Sequence, residues 1–85
     1  MNQAVKHVAS AALECLDRRG REDAALFLDI AMAWMEPFPA EWGDLWGAKC
    51  HLDCAAGLAT LDDEHPAIEL EVERARAVLD AVACG

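Results

Sequence analysis

The segment Ala67–Ala83, AIELEVERARAVLDAVA, carries the clearest spacing in the chain. Ile68, Val72, Ala75, Leu79 and Val82 recur at alternating steps of four and three residues, which puts them on one side of an α-helix and on no single face of a strand. The spacing predicts a helix from Ala67 to about Ala83. LDDEHP in front of it supplies a start signal: Pro66 suits a first turn, where its missing N–H would find no helical partner anyway, and Asp63 or His65 stands near the cap.

Working backwards, a third helix is predicted from about Asp44 through Leu45, Trp46, Ala48, Leu52, Ala55, Ala56 and Ala59. Gly43, Gly47 and Gly57 each weaken it by about 1 kcal/mol relative to alanine. Ahead of it lies EPFPAEWGDLWG, a stiff connector in which Pro37 and Pro39 end the preceding helix, since proline lacks the amide donor and disfavours helical geometry before it. That second helix opens near Glu22 and Asp23, whose charges suit a helix N-terminus. Leu26, Phe27, Ile30, Ala31 and Trp34 form its expected apolar stripe, widened by Leu28, Met32 and Met35. A helix apolar around most of its circumference is buried by several neighbours or by a partner. The first helix is predicted from about Asn2 to Arg19 on the spacing of Val5, Val8, Ala9, Ala12, Leu13 and Leu16, with Gly20 as its stop.

No strand-like alternation competes, so the expected fold is all-α: one helical domain over residues 1–85, a compact bundle of about four helices, either antiparallel up-down or two stacked hairpins. Alanines such as Ala9, Ala12, Ala31, Ala55, Ala56, Ala59 and Ala75 permit close helix approach. Gly20, Ala25 and Pro37 fall at spacings similar to those of a tetratricopeptide hairpin. That similarity covers the first hairpin only, and no copy recurs about 34 residues later.

The chain has 85 residues, of which 55% are hydrophobic, and its formal charge is −9. A chain this size buries about 60–65% of its unfolded surface, so its stability margin is thin. The charge argues against direct binding of nucleic acid or of an anionic membrane, and for a partner with a basic surface. Residues 1–49 hold eight acids and five bases, and residues 50–85 hold eight acids and two bases; the second part carries the field. No run approaches a membrane span and the first residues lack a typical signal peptide, so a cytoplasmic protein is expected.

Lys49–Cys54, KCHLDC, is the one stretch that resembles half of a metal site. Cys50 and Cys54 would lie on the same side of a helix one turn apart, but no second close pair of ligands exists to complete a tetrahedron. Small thiols buried in an alanine-rich helix are the expected reading, with no metal and no cofactor. A disulfide between them is disfavoured by geometry. His7, His51 and His65 are scattered and no catalytic motif is present, so no enzymatic activity is expected.

Two features suggest a binding surface. All five aromatic residues, Phe27, Trp34, Phe38, Trp42 and Trp46, lie within residues 27–46. They either close one end of the core or leave Phe38 and Trp42 as hydrophobic anchors for another chain. Asp62, Asp63, Glu64, Glu69, Glu71 and Glu73 place six acids within twelve residues that contain no base. They either favour the start of the fourth helix or form an acidic docking surface. The expected function is therefore that of a small acidic protein that binds another protein, as an inhibitor or nucleic-acid mimic in a basic groove. By analogy of size and charge alone, phage-encoded anti-CRISPR and anti-restriction proteins work this way. The alternatives are an adaptor or homodimerising bundle that uses the second helix, and a metal- or redox-responsive module that uses Cys50 and Cys54.

Overall fold

The computed structural model describes residues 3–35 and 42–85. Within them the chain forms four α-helices and no strand: α1 Gln3–Arg19, α2 Arg21–Trp34, α3 Trp42–Leu61 and α4 Ala67–Cys84. The third helix thus begins two residues before Asp44, and α2 stops ahead of Pro37, as the loss of the proline amide requires.

Gly20 alone separates α1 from α2. Its φ of 101° and ψ of 177° lie in a region that a side chain makes costly and that glycine enters freely. Its N–H donates to the carbonyls of Cys15 and Leu16 at the end of α1, while its own carbonyl accepts from Ala24 in α2. One residue thereby caps both helices. Arg18 and Arg19 in the last turn of α1, with Glu22 and Asp23 in the first turn of α2, match the helix dipoles on either side.

Each helix packs against its chain neighbours, and α1 closes the ring by packing on α4, while the diagonal pair α1 and α3 scarcely meet. Ion pairs between neighbours, Lys49 with Asp29, His51 with Glu71 and Arg76 with Asp17, fit an antiparallel up-down bundle. The core is shared by Val5, Ala9, Ala12 and Leu16 of α1, Ala24, Ala25, Leu28 and Met32 of α2, Leu45, Ala48 and Leu52 of α3, and Ala75, Leu79 and Val82 of α4. Alanines let the backbones approach, and leucines fill the layers, each contributing about 2 kcal/mol by leaving water.

The burial of α2 corrects one expectation. Its inward face is Ala24, Ala25, Leu28 and Met32, whereas Leu26, Ile30 and Trp34 from the expected stripe are 58%, 53% and 84% exposed. Two alanines, Ala24 and Ala25, take inward positions beside Leu28 and Met32. Leu26, Ile30 and Trp34 are left on the outside. Of the aromatic residues, Trp34 and Trp46 are exposed, while Phe27 packs in part against the core.

Candidate partner-binding surfaces

The acidic segment is divided by the fold. In the turn before α4, Asp62 Oδ1 accepts from the Glu64 amide and the Asp62 carbonyl accepts from the His65 amide. The Ala67 amide donates to His65 Nδ1, and the Ile68 amide to the His65 carbonyl. The His65 side chain thus satisfies the first amide of α4, and Pro66, expected in the first turn, stands one residue ahead of the helix at the N-cap with helical φ and ψ. Asp62, Asp63 and Glu64 stand exposed on this turn, with Glu69 and Glu73 exposed on α4.

Glu71 is different, and its expected place on an open acidic surface must be corrected. His51 on α3 donates from Nδ1 to Glu71 Oε2 at 2.7 Å, and Arg74 donates to Glu71 Oε1 at 3.0 Å. The carboxylate can only accept, so the imidazole proton sits on Nδ1 in this contact. The hydrogen bond from His51, reinforced by the charges of His51 and Arg74, holds the Glu71 carboxyl below the ordinary glutamate value against the opposing effect of burial. Glu71 joins α3 to α4. Arg76 meets Asp17 at 2.7 Å and reaches Glu73 at 4.0 Å, so both arginines of α4 are engaged by acids of this chain. Glu69 and the turn acids have no ion pair among the described residues.

A second polar clip joins α2 to α3. Lys49 donates to Asp53 at 2.7 Å, lies 3.7 Å from Asp29 and stands 4.9 Å from the centroid of the Trp46 ring. Its hydrogen bond to Asp53 holds the ammonium above the ordinary lysine value.

On KCHLDC the structure places Cys50 half-buried and Cys54 exposed, both as free thiols. The expected burial of the pair therefore fails for Cys54, which faces outward from α3. Among the described residues no group of three or more His, Cys, Asp and Glu side chains is placed to hold a metal ion. His51 is bonded to Glu71 and His65 is spent on its cap, while His7 is exposed on α1. Phe38 lies outside the described residues, and of Trp42 only its place as the first residue of α3 is described.

The contact through the second helix, expected as an alternative, has its surface on the other hairpin, formed by side chains that the spacing had assigned to the buried stripe. Leu26, Ile30 and Trp34 follow one another at four-residue steps along the outside of α2, and Leu26, Phe27 and Ile30 share a shallow groove with Cys15 of α1. Ala11 is exposed on the same side of α1, one helical turn before Cys15. Arg19 and Asp23 stand at one end of this groove. The signal was in the alanines: Ala24 and Ala25, adjacent in α2, mark the side on which a neighbouring backbone comes close. Among the described residues no helix is long and apolar enough to cross a membrane.

No protein family, no curated protein and no solved structure matches the chain.

Proposed function

We propose that this chain is a non-enzymatic binding protein that docks its acidic α3–α4 hairpin on a basic surface of another protein, as an inhibitor or nucleic-acid mimic occupies a basic groove. The observation that carries the reading is the exposure of Asp62, Asp63, Glu64, Glu69 and Glu73 at one end of a hairpin whose arginines are both engaged within the chain. Of these acids, Glu73 reaches Arg76 at 4.0 Å, and the others carry no ion pair among the described residues; excess charge of one sign on a surface raises the rate at which an oppositely charged partner is captured. The turn that bears three of these acids is fixed by its own hydrogen bonds, so little ordering is required on docking.

The test is capture of bound protein from a lysate of the source, followed by association kinetics with the identified partner at about 50 and 500 mM salt. Glu69→Lys with Glu73→Lys should slow association at least about tenfold at low salt and leave dissociation nearly unchanged. Glu71 is left intact in this variant because reversing it would break the bridge to His51. Association indifferent to both salt and charge reversal would refute the reading. A second reading, an adaptor that binds through α2, is favoured by the exposed Leu26, Ile30 and Trp34.

A further inference from the structure

We propose that the apolar face of the α1–α2 hairpin is covered by a second copy of this chain, giving a two-fold dimer with the acidic hairpins outermost. Three large side chains on one helix, Leu26, Ile30 and Trp34, are more than half exposed, and Phe27, Cys15 and Ala11 extend the same surface towards α1. Contiguous apolar area of this kind is what associating chains cover. At 1.5 Å per residue α1 and α2 are about 25 and 21 Å long. Two helices packed side by side present an outline about 20 Å wide, hence a face of roughly 500 Å² before side-chain relief is counted. That is roughly 60% of the ~800 Å² that each partner contributes to a standard interface, the size of a small, concentration-dependent dimer contact.

Charge selects the occupant. Residues 3–35, which form this hairpin, contain five acids (Glu14, Asp17, Glu22, Asp23, Asp29) and four bases (Lys6, Arg18, Arg19, Arg21), a net of −1. Residues 42–85 contain nine acids (Asp44, Asp53, Asp62, Asp63, Glu64, Glu69, Glu71, Glu73, Asp80) and three bases (Lys49, Arg74, Arg76), a net of −6. A strongly basic partner is drawn to the second hairpin and gains little at the first. A second copy loses little there, because Glu14 is already paired with Arg18 and the acidic hairpins of the two copies point away from each other. The bundle is 21–22 Å across its short axes, so those hairpins are separated by well over the Debye length of about 8 Å at physiological salt.

The geometry is self-complementary. When two α2 helices run antiparallel across a two-fold axis at Ile30, each Leu26 falls opposite the Trp34 of the other copy, a large ring against a smaller side chain. This is the isologous pattern that closes on itself and does not propagate.

The experiment is sedimentation equilibrium on the full chain from about 1 to 200 μM. The expected result is a species of twice the 9.2 kDa chain mass, with a dissociation constant that does not weaken as salt is raised. Ile30→Asp and, separately, Trp34→Glu should raise that constant at least 100-fold while leaving the helical circular dichroism unchanged, since both side chains lie outside the core. Leu70→Asp, at an exposed apolar position on α4, should leave it unchanged. A wild-type chain that remains monomeric at 200 μM overturns the proposal, as does a dimer that survives Ile30→Asp and Trp34→Glu or is broken by Leu70→Asp instead. Glu69→Lys with Glu73→Lys should leave dimerisation intact, so failure of this proposal and failure of the acidic docking surface are separately visible.

Discussion

Between α1 and α2 the chain reverses over the single residue Gly20, using a backbone conformation and no side-chain cap; between α3 and α4 it takes five residues and fixes them with the side chains of Asp62 and His65. The difference continues along the helices. The first hairpin is nearly neutral and joined by apolar contact, and it has apolar surface left over. The polar link from His51 to Glu71, with Arg74 of α4 on the other oxygen of the carboxylate, stitches the second hairpin, which turns its remaining acids outward. One bundle thus has two unlike sides, because its core needs only one stripe from each helix and each hairpin spends the rest of its residues differently.

The sharpest way to break this comparison is within α2 itself. Leu28 is fully buried and Leu26 is 58% exposed, although they are two residues apart on one helix. Leu28→Ala should cost about 3 kcal/mol, through lost transfer energy and the cavity left behind, and a bundle of this size has little more to lose. Leu26→Ala should stay within about 0.5 kcal/mol when measured below the concentration at which copies associate. Urea unfolding of both variants decides it. Similar losses would mean that α2 is rotated in solution and that its exposed stripe is part of the core.

A smaller effect separates the two kinds of glycine. At both Gly20 and Gly57 an added methyl group would meet nothing within 4 Å, so space does not distinguish them. Conformation does. Gly20→Ala should cost about 1–3 kcal/mol because its positive φ with extended ψ is strained for any other residue. Gly57→Ala, inside α3, should stabilise by about 0.7–1 kcal/mol through helix propensity. Thermal melts of the two variants should move in opposite directions; a gain at Gly20 would remove the one-residue turn from the account of the first hairpin.

Much of this division was legible before any coordinates. The four-and-three spacing on α4, the stop at Gly20 and the prolines after α2 give the all-α bundle because each is a local signal that tertiary packing has no reason to override. The face of α2 was not legible in the same way. Its apolar residues cover most of the circumference, and hydrophobicity alone ranks Trp34 and Ile30 above Ala24 and Ala25, whereas close helix approach ranks them in reverse. The acidic run was visible as a count of charges, but the separation of Glu71 from its neighbours depends on His51, twenty residues earlier, and no local pattern couples those positions. The same holds for Arg76, whose nearest acid is Asp17 on α1.

The smallest effect, and the one that tests the stitching of the second hairpin, is the titration of Glu71. Its folded value lies below the ordinary glutamate value of 4.5, with the His51 hydrogen bond as the largest cause. A depressed carboxyl value means that the folded state favours the ionised form. Its contribution is therefore fully present above pH 4.5 and is lost as pH falls through the lower folded value. The melting temperature of the wild type should exceed that of Glu71→Gln at pH 6, and the gap should close as pH falls below 4.5 and through the lower folded value. A carboxyl-carbon NMR titration gives the cause separately. His51→Ala should return Glu71 towards 4.5 by more than Arg74→Ala does, because the imidazole donates the shorter bond and ties the carboxylate to a second helix. If Glu71 titrates at its ordinary value in the wild type, the bridge between α3 and α4 is not held in solution, and Glu71 rejoins the exposed acids available to a basic partner.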